Sequence, residues 1–202
     1  MVKMIELVVT DREGRVIRRV AVNEDLFNKA LERSNNDFST AWFIRILRAV
    51  FEPLSTSGVS SASFTDTTGT ARTQDFKKPM YPASSSSPIL IDFFNTAYCY
   101  NRLWVSCGTG TTPPTRTDYK LENEVAEGVA SLTVSEDIGV ITVSGAFTFT
   151  ADTVISEIGL KWEGVVNSSS ICGKVLLDRT VLDTPITVPA GTTLTVVYRF
   201  RL

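Results

Sequence analysis

The sequence of 202 residues contains no histidine. Histidine is the side chain that most often serves as a general base near neutral pH, and it is also the commonest ligand of transition metals. Its absence excludes the Ser-His-Asp and Cys-His nucleophile systems and any metal centre that depends on imidazole. Catalysis by this chain would therefore have to use carboxylates or other side chains.

Cysteine is also scarce, with residues only at positions 99, 107 and 172. This spacing does not match a zinc site, so no metal is expected. Cys99 and Cys107 are close enough in the sequence to pair across a hairpin. Buried free thiols are the simpler interpretation for a protein made inside a cell, and we predict them here.

Long apolar runs and an excess of charge are missing too. No apolar segment has the length of a membrane span, and the chain begins with a strand-like pattern rather than a secretory signal. The formal net charge of −2 provides no basic surplus for neutralising phosphates, so direct nucleic-acid contact is not expected. With 43% hydrophobic residues, the chain can form one globular domain with its own core.

A two-residue period dominates residues 153–202, as is typical of half-buried β-strands. In the last strand one face carries Leu194, Val196, Tyr198, Phe200 and Leu202. A second strand has the same period at Val154, Ser156, Ile158, Leu160 and Trp162. A third runs from Val175 to Val181 and is interrupted by Asp178 and Arg179. The sequence Pro189-Ala190-Gly191 predicts a turn between the last two strands.

Similar patterns occur earlier in the chain. Residues 4–9 and 15–22 flank Asp11-Arg12-Glu13-Gly14, which predicts an N-terminal β-hairpin. Residues 102–107, 132–134 and 140–149 predict further strands, with Gly145 as a bend or bulge. Short strands separated by turns rather than helices predict an antiparallel β-sandwich, jelly-roll-like, with its body at residues 91–202.

One apolar helix is predicted over residues 39–51, where apolar side chains recur at three- and four-residue spacing before Pro53. Trp42 and Ile44 widen its apolar surface, so it must be covered on more than one side. It either caps the sheet of its own subunit or packs against a neighbouring copy. With the hairpin it makes an N-terminal region, residues 1–53, packed on the body.

Residues 54–90 are rich in Ser and Thr and poor in apolar side chains. Such a segment buries too little surface to offset its ordering entropy within its own subunit. We predict an extended arm or loop that becomes ordered on a partner subunit, anchored by Phe64, Phe76 and Tyr81. A flexible linker is the alternative.

Several groups of residues suggest chemistry. Gly108-Thr109-Gly110-Thr111-Thr112 lacks the lysine of a phosphate loop and precedes two prolines, which favours a turn. Glu122 and Glu124, near Asp118, are either paired carboxylates of a glycosidase or a solvated or inter-subunit segment. Glu157 lies among apolar residues, where a carboxylate needs a partner, and Arg179 is the predicted partner; an outward-facing Glu157 is the alternative.

Four aromatic residues raise the possibility of a sugar-binding platform: Tyr98, Tyr100, Trp104 and Trp162. An aromatic ring can cover the apolar face of a sugar. Each of these residues also has an alternating strand context, in which core packing is the more frequent use.

The order of three segments resembles a family of virion structural proteins of tailed phages and some archaeal viruses. These segments are WVSCGTGTTPPTRTDYKLENEVAEG, VISEIGLKW and KVLLDRTVLDTPITVPAGTTLTVVYRFRL. The motifs are a Gly-Thr turn, an Asp before Leu-Glu, a Glu-x-Gly-Leu strand, an Arg-bearing strand and a terminal Val-x-Ala-Gly strand. They correspond here to Gly108 and Gly110, Asp118 with Leu121 and Glu122, Glu157 with Gly159 and Leu160, Arg179, and Val188 to Tyr198. The opening hairpin and helix also fit, whereas the Ser/Thr-rich segment departs from the pattern.

The resemblance implies a tail, nozzle, adaptor or vertex component of a virus particle that assembles as a symmetric ring, sixfold or twelvefold, with other virion proteins. It implies no enzyme activity, no catalytic residues, no cofactor and no small-molecule substrate. The predicted subunit contacts are Trp42, Arg45, Arg48, Phe64, Phe76, Tyr81, Asp118 and Glu122. A carbohydrate-binding attachment module and a carboxylate-dependent hydrolase are the alternatives.

Overall fold

A computed structural model describes residues 2–25, 59–77, 102–115, 117–135, 140–165 and 172–201. The predicted helix at residues 39–51 lies outside these ranges, as do Trp42, Arg45, Arg48 and Tyr81. The described residues form β-strands and connecting turns, which confirms the prediction of a mainly β, antiparallel protein.

Eleven strands lie in the described ranges, and all their pairings are antiparallel. Their bounds are β1 Val2–Thr10, β2 Val16–Asp25, β3 Val59–Thr65, β4 Ala71–Lys77, β5 Arg102–Gly108, β6 Glu124–Val129, β7 Ser131–Ser135, β8 Val140–Thr148, β9 Thr153–Val165, β10 Cys172–Val188 and β11 Thr193–Arg201. A five-stranded sheet has the order β2-β1-β11-β8-β7. A four-stranded sheet has the order β10-β9-β5-β6, and β3 pairs with β4 alone.

One hydrophobic core is shared by the five-stranded and four-stranded sheets. Ile5 and Leu7 of β1 belong to the same buried cluster as Val105 of β5 and Ile158 of β9. The alternation predicted for β11 is confirmed, because its core-facing residues from 194 to 198 are fully buried. The N-terminal hairpin is confirmed as well, but β1 pairs with β11 and is therefore an integral part of the sheet.

The two-residue period predicted for β9 and β10 assigns the wrong residues to the buried face at two places. Val154 is 49% exposed and Ile155 is buried, because the pairing of the two strands shifts between Val181 and Ile186. Asp178 does not interrupt β10 either. A second shift in register between Leu176 and Asp178 lets the strand continue, with Asp178 buried.

Gly145 is not a bulge. It pairs with Val196 in an unbroken register between β8 and β11. A Cβ atom placed on Gly145 would lie 3.0 Å from the Cβ of Val105 in the opposite sheet. The missing side chain therefore permits a close approach of the two sheets.

Part of the predicted arm is a regular hairpin. β3 and β4 pair from Val59 to Lys77, which includes the backbones of Phe64 and Phe76. Gly69 adopts φ +85° in the turn between them, and Thr67 N donates to Lys174 O at 2.9 Å. The residues of the turn stabilise this hairpin, although the segment has too few apolar side chains for a regular structure to be predicted.

Asp66 organises this turn, and its carboxylate is buried. It accepts hydrogen bonds from the amides of Thr68 and Thr70 and from Nε of Arg72 at 2.8 to 3.0 Å. Burial opposes ionisation, but the hydrogen bonds from Thr68, Arg72 and Thr70 outweigh it and lower the pKa of Asp66 from 3.8 to about 2.

Asp66 should therefore make stability depend on pH. A depressed folded-state pKa contributes stability that is full above about pH 4 and is lost as the pH falls through about 2, here about 2 kcal/mol. Urea unfolding of the wild type and Asp66→Asn should differ by that amount at pH 5, and the difference should vanish near pH 2. A difference that does not change with pH would contradict this prediction.

A buried ion pair joins the two sheets. Lys3 of β1 donates from Nζ to Asp178 Oδ1 at 2.6 Å and to Thr180 Oγ1 at 3.2 Å, and the Thr180 hydroxyl donates to Asp178 Oδ2 at 3.1 Å. All three residues are at most 4% exposed. At the register shift the side chain of Asp178 points toward the interior, where it pairs with the buried Lys3 of the opposite sheet.

The prediction of a buried free thiol is confirmed for Cys107. Cys107 is free and buried, which excludes the Cys99–Cys107 pair, but Cys172 is disulfide-bonded. Spacing along the chain indicates only local pairings, whereas disulfide formation depends on distances in the folded protein.

The Cys107 thiol should be inert in the folded protein. Burial, followed by the charges of Glu124 and Glu157, raises the pKa of Cys107 to about 12. Iodoacetamide at pH 8 should therefore leave this residue unmodified in native protein and alkylate it in urea. Peptide mass spectrometry locates the modification, and rapid native labelling of Cys107 would contradict the assignment.

Candidate functional site

A cluster of charged side chains lies on the face of the four-stranded sheet that points away from the core. β9 places Glu157 opposite Gly108 of β5, and β10 places Arg179 opposite Gly159 of β9. The Arg179 Nε donates to Glu157 Oε2 at 2.8 Å, so the pair predicted from the sequence is present. We call Glu157, Arg179, Asp118 and Glu122 the carboxylate–arginine network.

Glu157 has no exposed surface, yet it has four hydrogen-bond donors. Its Oε1 accepts from Gly110 N at 3.0 Å and Asn123 N at 2.8 Å. Its Oε2 accepts from Glu122 N at 3.1 Å and from Arg179. Three backbone amides and one guanidinium therefore hold the Glu157 side chain in place, and these bonds fasten the loop of residues 109–123 to the sheet.

Arg179 contacts all three carboxylates of the network. Besides Glu157, it donates from Nη1 to Asp118 Oδ2 at 2.7 Å and from Nη2 to Glu122 Oε2 at 3.4 Å. Burial alone would lower the pKa of Arg179, but the hydrogen bonds and charges of Glu157 and Asp118 raise it. The guanidinium is permanently charged and links the sheet to two points of the covering loop.

Two glycines make room for this arrangement. A Cβ atom on Gly108 would lie 2.5 Å from Glu157 Oε1, and one on Gly110 would lie 2.6 Å from the same oxygen. The Gly-Thr-Gly sequence is thus a loop closely packed on a carboxylate. This agrees with the predicted turn and disagrees with a phosphate loop.

The loop carboxylates are also held by their own neighbours. Glu122 Oε2 accepts from the hydroxyl and amide of Thr112, and these bonds lower the pKa of Glu122. Asp118 accepts from the amide and hydroxyl of Thr115 at 3.0 and 2.7 Å. The two carboxylates predicted as subunit contacts are therefore used within the chain, although Glu122 remains exposed.

A second charged cluster lies further along the same face. Lys161 is 3% exposed and donates from Nζ to Glu124 and to Glu127, the latter at 3.0 Å. Lys174 also donates to Glu127. Burial would raise the pKa of Glu127, but the two lysines outweigh it and lower that pKa. These contacts bind β6, β9 and β10 together, and they neutralise Glu124.

Trp104 is part of this second cluster. Lys174 Nζ lies 3.6 Å from the centre of its ring, and the indole Nε1 donates to Glu163 Oε2 at 2.7 Å. One face of the ring is therefore occupied by a cation from the same chain. Trp162 is half-buried, while Tyr98 and Tyr100 lie outside the described residues.

Large apolar side chains are exposed on three edge strands. β2 carries Val16 and Ile17, β6 carries Val125 and Val129, and β7 carries Leu132, each between 42% and 54% exposed. Among the described strands, each of these three has a hydrogen-bonded neighbour on one side only. Exposed edge strands with apolar side chains are typical sites of association.

The carboxylates of the charged clusters are held by the chain itself, and Glu122 is poorly suited to act as a general acid. The carboxylates accept hydrogen bonds from fixed donors, and Glu122 has a lowered pKa, whereas a general acid needs a raised one. Among the described residues, no group of three or more Cys, Asp or Glu side chains is arranged to hold a metal ion. An open pocket of about 520 Å³ lies elsewhere, among the turns that carry Arg12, Phe149 and Gly191.

Sequence reasoning missed two features. The Lys3–Asp178 pair had a signal, because Lys3 is in phase with Ile5, Leu7 and Val9 and thus belongs to the buried face. No sequence signal indicated the contacts of Lys161, because they depend on how β9 is aligned with the neighbouring strands, and the sequence does not reveal that register.

No protein-family model, no curated protein and no solved structure matches this chain. In the part of the chain that the structure describes, no helix has the length and apolarity needed to cross a membrane.

Proposed function

We propose that this protein is a structural subunit of a virus particle, a tail, nozzle, adaptor or vertex component that assembles as a symmetric ring. Its body would be a jelly-roll-like β-sandwich, and its partners would be further copies of itself and other virion proteins. The observation that carries the proposal is the set of exposed apolar side chains on the edge strands β2, β6 and β7. Neighbouring subunits would cover them.

The chemistry of the charged clusters supports a structural role. Buried or partly buried carboxylates that accept several fixed donors stabilise a loop, and they are poorly placed to exchange protons with a substrate. Glu124 is paired with Lys161, and Glu122 has a lowered pKa, so neither favours the hydrolase. The occupied face of Trp104 likewise does not favour a sugar platform.

Two further observations support a virion component. The order of motifs resembles virion proteins of tailed phages and some archaeal viruses, and Glu157 and Arg179, two of those motif residues, form the centre of the network. Cys172 is disulfide-bonded, and disulfides persist on virion surfaces, which face oxidising surroundings.

Mass photometry of the purified full-length protein over a range of concentrations tests the proposal. We expect closed oligomers of sixfold or twelvefold symmetry, with rings visible by negative-stain electron microscopy. A protein that stays monomeric at every concentration, and with candidate partner proteins added, would contradict it.

A further inference from the structure

Within the described ranges, the five-stranded sheet has an unpaired edge on each side, and the two edges differ in character. β2 forms one edge and β7 the other. Unpaired strand edges bind other strands readily unless charge, bulges or a covering segment prevent it. What each edge presents to a neighbour therefore decides how copies of this chain can associate.

The second edge is longer than β7 alone. β7 pairs with residues 140–144 of β8, and the chain preceding it is β6, the outer strand of the four-stranded sheet. A Cβ atom on Gly128 would be 3.4 Å from the ring of Phe147, and Ala130 N donates to Leu103 O at 2.8 Å. Residues 124–135 thus form one continuous border of both sheets, which we call the β6–β7 edge.

Apolar side chains on the two borders lie at matching levels. Residues that pair in neighbouring strands lie side by side in the sheet. Val16 pairs with Thr10, Thr10 pairs with Thr193, and Thr193 pairs with Thr148. Thr148 follows Phe147, the neighbour of Gly128. Val16 and Ile17 are therefore level with Gly128 and Val129. Leu132 is level with Val22 for the same reason, because successive pairings connect these two residues across the sheet.

Charge also distinguishes the two borders. Residues 11–21 contain four arginines and two acids, whereas residues 124–135 contain two acids, Glu124 and Glu127, and no lysine or arginine. Both acids are paired with Lys161 or Lys174 of the same chain. Contact of the β2 edge with a second β2 edge would bring arginines together. Contact of the β2 edge with the β6–β7 edge avoids this repulsion, because the acids of the second edge are balanced by lysines of their own chain. Charge therefore favours contact between unlike edges.

The direction of the strands fits the same arrangement. In an antiparallel sheet of five strands the two outer strands, β2 and β7, run in the same direction. If neighbouring copies are related by rotation about an axis parallel to the strands, the strands of every copy point in the same direction. Such head-to-tail contacts propagate and close into a ring when the rotation divides a full turn.

We propose that the β2 edge of one copy docks on the β6–β7 edge of the next, with Val16 and Ile17 against Val129 and Val125. This inference rests on the ring proposed above and identifies its interface. The occupant of each edge is a second copy of this chain. Every subunit then contributes one edge of each kind to the ring.

Two variants test the arrangement. Ile17→Asp disrupts the β2 edge, and Val129→Asp disrupts the β6–β7 edge. Each alone should weaken self-association at least tenfold in sedimentation velocity. An equimolar mixture should form a dimer and nothing larger, because each variant retains the edge that the other has lost. Val154→Asp, an equally exposed valine outside both edges, should assemble like the wild type.

The outcomes separate the interface from the ring. A wild type that never assembles overturns both proposals. Rings that persist in both edge variants overturn the interface alone, as does a mixture that stays monomeric, since that result indicates a twofold contact. Circular dichroism checks that each variant is folded, and Val16→Asp or Leu132→Asp replaces any variant that is not.

Discussion

Replacing Glu157 by glutamine is expected to destabilise the folded protein by about 3–5 kcal/mol, as large as the loss of one partner from a buried ion pair. Each carboxylate oxygen accepts two N–H donors. A glutamine must turn its own NH₂ group toward two of those donors, whichever way the amide is oriented. It also removes one of the three carboxylates that compensate the buried charge of Arg179, so that only Asp118 and Glu122 remain.

The matched control is Glu13→Gln, the same chemical change in an exposed pair with Arg15. We expect it to alter stability by less than about 1 kcal/mol. Urea unfolding monitored by tryptophan fluorescence measures both variants. A Glu157→Gln protein as stable as the Glu13→Gln protein would show that the loop of residues 109–123 does not depend on this carboxylate.

Lys3→Met should also destabilise the protein by about 3–5 kcal/mol. The variant removes the cation and leaves Asp178 buried between the sheets, with Thr180 as a remaining donor. The side chain of methionine is similar in size to that of lysine, so the lost stability comes from charge rather than from a cavity. Thermal and urea unfolding both measure the effect.

Replacing all three polar residues of the buried pair should restore most of the stability that Lys3→Met loses. In Lys3→Met, Asp178→Leu, Thr180→Val, apolar side chains replace the pair and its hydroxyl, and such replacements are often neutral or stabilising. Lys120→Met, at an exposed lysine, controls for the loss of a positive charge. If the triple variant is less stable than Lys3→Met, the pair contributes more than the cost of burying its charges.

Much of the fold could be predicted because strand periodicity and turn residues are local signals. β1, β11 and the turn at residues 189–191 follow directly from alternation and from Pro and Gly. The phase of β9 and β10 could not be predicted. It changes where the pairing shifts, and a register shift depends on both strands rather than on either sequence. The β3–β4 hairpin was missed because its order comes from Asp66 and its hydrogen bonds rather than from apolar residues.

The candidate site divides in the same way. A carboxylate among apolar residues requires a partner, and this requirement alone indicated Glu157 with Arg179. The roles of Asp118 and Glu122 depend on how residues 109–123 fold back over the sheet. No sequence pattern specifies that path, so the contacts of those two carboxylates with Arg179 were not predicted.

The position of β11 has a consequence for biosynthesis. This strand lies between β1 and β8, yet it is translated after every other described strand. Until residue 201 leaves the ribosome, β1–β2 and β7–β8 are separate two-stranded units, which are only marginally stable in water. Contacts between such distant segments form slowly. Nascent chains should therefore remain dependent on chaperones until β11 is made, and only chains translated through this strand can present both borders at once.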